Sequence, residues 1–95
     1  MSEQAEALAK IEAIRKQIDE ADKKLVALLN ERSSYSLAIR KLKPAAGMQS
    51  VYDPKREQEI LERICAYNEG PMQDENLKEL YSTLLKVMKE VPAQD

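Results

Sequence analysis

The sequence predicts an all-α protein of three helices, one long and two short. No part of the chain shows the sustained alternation of apolar and polar residues that is typical of a half-buried strand. Apolar residues instead recur at spacings of three and four, which favours helices. Three segments remain between the helix breakers, which are Pro44, Gly47, Pro54, Gly70, Pro71 and Pro92.

The first segment, from about Ser2 to Lys43, is predicted to be one long helix. It contains neither glycine nor proline, and strong helix formers dominate it. Steps of four and three residues trace one stripe along its length: Ile11, Arg15, Ile18, Asp22, Leu25, Leu29, Arg32, Ser36, Ile39 and Lys43. The stripe is apolar except where these polar and charged residues interrupt it.

The two shorter helices are predicted from their caps and their apolar faces. Asp53 suits an N-cap with Pro54 at the first helical position, and Gly70 is expected to end that helix. Its inner face is predicted to carry Glu57, Ile60, Leu61, Ile64 and Asn68. The third helix is expected to begin near Asp74. Its apolar side is predicted to be Leu77, Leu80, Tyr81, Leu84, Leu85, Met88 and Val91.

The length of the first helix predicts a homodimer. Forty residues of helix span about 60 Å, whereas a compact chain of this size has a radius of gyration of only about 12 to 13 Å. The two short helices cannot cover an apolar stripe of that length. A second copy of the same helix is the simplest cover, so we expect two chains with their long helices packed together.

Composition excludes several classes of function. The chain has no histidine, which removes the commonest general base, and Cys65 is its one cysteine, so neither an internal disulfide nor a zinc site is expected. A net charge of −2 with both signs interspersed argues against nucleic-acid binding. There is no apolar stretch of signal-peptide or membrane-spanning length, so we expect a cytoplasmic protein that does not bind membranes.

The cations on the long stripe suggest a site for a small anion. Arg32 and Lys43 are eleven residues apart, so they point the same way about 16 Å apart along the axis, and both could reach one ligand. Arg15 is about 25 Å from Arg32 and cannot share that ligand within one chain. In an antiparallel dimer, Arg15 of the partner subunit could. The alternative is that these side chains extend to water or pair with carboxylates such as Asp22.

An ordered set of motifs resembles a known family. The chain carries "IRKQIDEADKKLVALLNERSSYSLAIRKLK", a loop, then "VYDPKREQEILERI" and the break "EGP". This order is similar to that of the all-helical AroQ-type chorismate mutases over essentially the whole chain, so residues 1–95 are expected to form one such domain. The loop and third helix also resemble mutase domains fused to the first enzyme of the shikimate pathway.

The resemblance implies an enzyme that rearranges chorismate to prephenate in phenylalanine and tyrosine biosynthesis. It also implies an intertwined homodimer in which both chains contribute to each active site. The rearrangement is intramolecular and pericyclic, so no nucleophile, metal or cofactor is expected. The site must instead hold a folded substrate conformer and place positive charge at the breaking ether bond.

The resemblance further implies a role for each member of the site. The expected substrate-binding residues are Arg15, Arg32, Lys43, Asp53, Arg56 and Glu57, and those expected to act in catalysis are Arg15, Arg32, Lys43 and Glu57. Arg32 and Arg15 of the partner subunit would hold the two carboxylates, and Lys43 would donate to the ether oxygen. Asp53 and Glu57 would contact the end of the substrate that carries the ring hydroxyl. A plain helix cap and a pairing on the helix surface are the respective alternatives for Asp53 and Arg56.

The third helix departs from the family pattern. The family carries Gln or Glu late in this helix, beside the lysine at the ether oxygen, and a small polar residue one turn earlier. Here Pro92 and Met88 take those places, and Gln94 is the nearest polar substitute. Two alternative functions therefore stay open, an isochorismate pyruvate lyase and a non-catalytic domain that binds chorismate or prephenate and regulates a shikimate-pathway enzyme. A bare coiled coil would leave the inward-facing charges unexplained.

Overall fold

The computed structural model describes residues 2–48 and 53–93, which form three α-helices and no strand. The helices are α1 (Glu3–Leu42), α2 (Pro54–Tyr67) and α3 (Asp74–Glu90). The predicted all-α class and the three helices of unequal length are confirmed. In the described part of the chain, no helix combines the length and apolar character needed to cross a membrane.

Two compact units make up the chain, residues 1–32 and residues 33–95. In the first unit the described residues belong almost entirely to α1, which has no buried residue anywhere along its length. Large apolar side chains on this stripe and beside it are between 44% and 58% exposed; they include Leu8, Ile11, Ile14, Ile18 and Leu25. The predicted apolar stripe is therefore present, and a single chain leaves it open to solvent.

In the second unit, α2 begins as its sequence predicts. The Asp53 side chain accepts a hydrogen bond from the backbone N–H of Arg56 at 3.0 Å, and Pro54 occupies the first turn. This bond satisfies one of the N–H groups that a helix start leaves without an intrahelical partner, and proline has no N–H to satisfy. The predicted cap is confirmed.

Asn68 organises the connection between α2 and α3. It caps the C-terminus of α2, and its side-chain amide donates to the Met72 carbonyl at 2.8 Å and to the Asp74 carboxylate at 2.7 Å. Its side-chain oxygen accepts the backbone N–H of Gly70 at 3.1 Å. Gly70 has φ +75°, a conformation that glycine adopts without the penalty of a Cβ. The predicted end of α2 before Gly70 is confirmed.

The core of the second unit lies where α2 packs on α3. Its buried members are Ile64, Leu85 and Met88. Most of the other predicted inner residues of these two helices are partly buried, but Leu80 is 57% exposed. Leu80 lies one residue before the inward-facing Tyr81 and therefore points about 100° away from it. Leu80 therefore lies at the exposed edge of the predicted apolar side of α3.

The end of α1 is tied to the C-terminus of α3 by Arg40. Its guanidinium donates to the carbonyls of Val91 at 2.7 Å, Met88 at 2.8 Å and Lys89 at 3.2 Å. The last carbonyls of a helix have no intrahelical donor and carry the negative end of the helix dipole. The Arg40 guanidinium supplies three of these carbonyls with a donor and places positive charge at the negative end of the dipole.

Candidate functional site

The first turn of α2 holds three of the predicted site residues, Asp53, Arg56 and Glu57. Asp53 is partly buried and accepts the capping hydrogen bond. The Arg56 guanidinium lies 3.8 Å from the Glu59 carboxylate, and both side chains are about half exposed. The surface pairing that the sequence left as an alternative for Arg56 is therefore present, at a distance where such pairs contribute little stability.

Glu57 lies on the inner side of α2 and is paired with Lys89 of α3. The Lys89 ammonium is 3.1 Å from one carboxylate oxygen and 3.2 Å from the other. The Glu57 side chain is 23% exposed and that of Lys89 is 30% exposed. Sequence reasoning placed Glu57 on this inner face but missed Lys89, whose only signal was its position next to Met88 on the apolar side of α3.

Lys43 follows the last residue of α1, where a compact turn fixes its backbone. Its N–H donates to the Ile39 carbonyl at 2.9 Å, and its own carbonyl accepts from Ala46 at 3.0 Å and from Met48 at 2.8 Å. The residue is partly buried. These bonds place the start of a long cationic side chain at a defined point, although its approach to a substrate stays a prediction.

The two predicted carboxylate-binding arginines belong to the first unit. Arg15 is 3.5 Å from Glu12, one turn earlier on α1, and both side chains are more than 60% exposed. An exposed pair of this kind is weak and leaves the guanidinium available to a stronger anion. Arg32 is partly buried. How either arginine approaches the residues of α2 stays a prediction.

The two residues that depart from the family pattern, Met88 and Pro92, lie at the end of α3 and just after it. Met88 is 6% exposed, and its sulfur accepts a hydrogen bond from the Ser33 hydroxyl at 3.4 Å. α3 ends at Glu90 with Val91 as its C-cap, so Pro92 follows the helix rather than continuing it. Gln94, the predicted polar substitute, lies outside the described residues. At position 88 a core side chain occupies the place where the family pattern has a small polar one.

The charged residues of the predicted site are of both signs. Within residues 2–48 and 53–93, no cluster of three or more histidine, cysteine or carboxylate side chains could hold a metal ion. Cys65 is a partly buried free thiol on α2. The predicted site combines four cations with two carboxylates, a set of groups that can bind a dianion and one hydroxyl group.

Comparisons with known proteins agree on one family. Residues 14–92 match the profile of the family described as chorismate mutase type II. The chain is 39% identical over 71 residues to a bifunctional chorismate mutase/prephenate dehydratase of Neisseria gonorrhoeae, which covers 75% of this chain but 19% of that protein. It thus spans about a fifth of the length of this relative.

Two further relatives are closer in length to this chain. A chorismate mutase of Methanocaldococcus jannaschii is 36% identical over 70 residues, which covers 74% of this chain and 70% of that protein. A solved structure of chorismate mutase (form II) from Thermus thermophilus superposes with a TM-score of 0.82 at 34% identity, covering 86% of this chain and 92% of that one. The chain therefore belongs to the chorismate mutase type II family and has its all-helical fold.

Proposed function

We propose that this protein catalyses the rearrangement of chorismate to prephenate. The observation that carries the proposal is the family match over residues 14–92, which contains all of the predicted site residues. The fold similarity extends over most of the chain. The reaction needs no base or nucleophile, which agrees with a chain that has no histidine.

In the proposed site, cations bind the substrate and stabilise its transition state. Arg32 and Arg15 of the partner subunit hold the two carboxylates, because the planar guanidinium can donate two parallel hydrogen bonds to a carboxylate. Lys43 donates to the ether oxygen, which gains negative charge as the C–O bond breaks. The fixed backbone at Lys43 supports this role, since it holds the start of the side chain at a defined point.

The carboxylates of α2 face the other end of the substrate. Glu57 accepts a hydrogen bond from the ring hydroxyl, and Asp53 assists from the start of the helix. Support for Glu57 is its position on the inner side of α2, where it is mostly buried yet remains an ion-paired acceptor. Arg56 contributes at the edge of the site when it leaves its weak contact with Glu59.

The active form is a homodimer with two sites, each built from both chains. The proposal is supported by the open apolar stripe of α1. Its exposed side chains are unfavourable in water, and covering them with a second α1 would lower the free energy of the protein. Arg15 interrupts that stripe, so the packing that covers the apolar residues also brings Arg15 of the partner subunit into the interface.

Turnover of chorismate, followed by the loss of its ultraviolet absorbance, tests the proposal. Lys43→Ala should lower kcat by about 10² to 10³-fold, the usual effect of removing one preorganised donor. Lys41→Ala, an exposed neighbour on α1, is the matched control and should keep full activity. Unchanged turnover in Lys43→Ala would remove this residue from the mechanism.

The same preparation separates the other functions. Faster release of pyruvate from isochorismate than formation of prephenate would identify a lyase. A protein that chorismate stabilises against heat without forming product would be a regulatory binder.

Association with another shikimate-pathway enzyme is a further prediction, tested by co-elution. It is supported by the relative that joins a mutase to a prephenate dehydratase. A cytoplasmic location stays a prediction.

A further inference from the structure

The Lys89–Glu57 contact joins two helices at the predicted site. Both carboxylate oxygens of Glu57 lie within hydrogen-bond distance of the same ammonium, at 3.1 Å and 3.2 Å. By contrast, the Lys78–Glu75 pair joins residues one turn apart on α3 at 3.8 Å, with side chains 46% and 84% exposed. The Lys89–Glu57 pair is shorter and less exposed, so water screens it less.

The backbone at Lys89 is itself held in place. Arg40 donates to the carbonyl of Lys89 at 3.2 Å and to that of Met88 at 2.8 Å. The Met88 side chain is buried in the core, which fixes the same turn of α3 from the other side. The lysine side chain therefore starts from a fixed backbone, and the ion pair with Glu57 has to order the side chain alone.

Glu57 creates an electrostatic problem for the proposed site. A carboxylate beside a bound dianion repels it, and this repulsion is strong where solvent is largely excluded. The ammonium of Lys89 offsets that charge. An ionised carboxylate has about four positions for accepting hydrogen bonds, so Lys89 leaves capacity for a substrate hydroxyl.

We propose that Lys89 is a positioning residue of the site, which holds the Glu57 carboxylate in one orientation and offsets its charge so that a dianionic substrate can bind beside it. This inference rests on the proposed function and adds a residue of α3 to the predicted set. Lys89 acts through Glu57 and not on the ether oxygen. Lys89 follows Met88, one of the two positions at which this chain departs from the family pattern, so a charged group lies beside that departure.

Steady-state kinetics of three variants test the proposal. Lys89→Met should lower kcat/KM by about tenfold, within the usual range for coupled residues in contact, and mostly through KM because substrate and transition state carry the same net charge. Lys89→Arg should retain most activity because it keeps a cation in place. Lys78→Met, the same substitution on the exposed side of α3, should have no effect.

A double-mutant cycle with Glu57→Gln separates positioning from a structural role. When residue 57 is neutral there is no charge to offset, so adding Lys89→Met to Glu57→Gln should change KM by less than about twofold. This background also removes the unpaired carboxylate that would threaten folding of the single variant. Circular dichroism should confirm that each variant is helical.

The outcomes distinguish the inference from the function on which it rests. An active wild type in which Lys89→Met has the same effect in both backgrounds, or no effect in either, overturns the role of Lys89 alone. Wild-type protein that leaves chorismate unchanged overturns the proposed function and this inference with it. A large KM effect that disappears in Glu57→Gln supports the inference.

Discussion

Arg40 provides a test of how the second unit is held together. The substitution Arg40→Met keeps the length and much of the apolar stem of the side chain but removes every guanidinium donor. Three carbonyls at the end of α3 then lose a partner, those of Met88, Lys89 and Val91. Because they belong to the last turn of the helix, no backbone N–H of α3 replaces the lost donor.

The size of the effect follows from these contacts. A hydrogen bond that involves a charged group contributes about 1.5 to 3 kcal/mol, and the bonds to Val91 and Met88, at 2.7 Å and 2.8 Å, are short enough to count fully. The bonds share one side chain, and water can reach a helix end after the substitution, so they do not add. We expect a loss of about 2 to 3 kcal/mol, a large fraction of the roughly 5 to 15 kcal/mol that is typical of a domain.

Urea unfolding followed by circular dichroism measures this loss. All samples must be at one protein concentration, because the stability of a dimer depends on it. Lys41→Met is the matched control, since Lys41 is the exposed neighbour of Arg40 in the last turn of α1, and we expect it to change stability by less than about 0.5 kcal/mol. An Arg40→Met protein as stable as the control would refute the reasoning.

Three further predictions concern the cap, the dimer and the loop. Asp53→Ala should cost about 1 kcal/mol of stability, whereas Asp53→Asn should keep the cap, and thermal unfolding measures both. A loss of turnover in Asp53→Asn at unchanged stability would show that the charge acts on the substrate. Leu25→Gln should raise the dimer dissociation constant by about 100-fold or more, since each copy loses about 1.5 to 3 kcal/mol of apolar burial. The control Lys24→Gln, at an exposed neighbour, should leave the dissociation constant unchanged. Equal dissociation constants for the two variants in sedimentation would contradict the proposed interface. Gly70→Ala should destabilise by about 1 to 2 kcal/mol because φ +75° strains a residue with a Cβ. Among residues 2–48 and 53–93 no neighbouring atom lies near enough to add a clash, so a loss above about 4 kcal/mol in chemical denaturation would disagree with this explanation.

Local signals explain why the helices were predictable. The cap at Asp53 and the break at Gly70 each depend on residues within a few positions, and both were read correctly. The long uninterrupted pattern of α1 predicted its ends to within one residue. The open stripe on that helix was also expected, because its length exceeds what the rest of a short chain can cover.

Contacts between distant parts of the chain were harder to predict. Arg40 and Lys89 look like solvated surface charges in the sequence, since each sits beside an apolar stripe among other charged residues. Their partners lie 32 to 51 positions away and depend on where the helix ends meet. The exposure of Leu80 was also hard to predict, because apolar spacing alone does not show which edge of a wide apolar face is covered.

Recovery of activity in mixed dimers tests the central claim most directly. We would co-express Arg15→Ala with Lys43→Ala, each inactive alone, and measure conversion of chorismate to prephenate. If each site takes Arg15 from one chain and Lys43 from the other, a mixed dimer has one intact site, and random pairing should restore about a quarter of wild-type activity. Recovery near that level is the predicted result. If the wild type is active and mixed dimers form but no activity returns, the claim of a site shared between two chains is wrong.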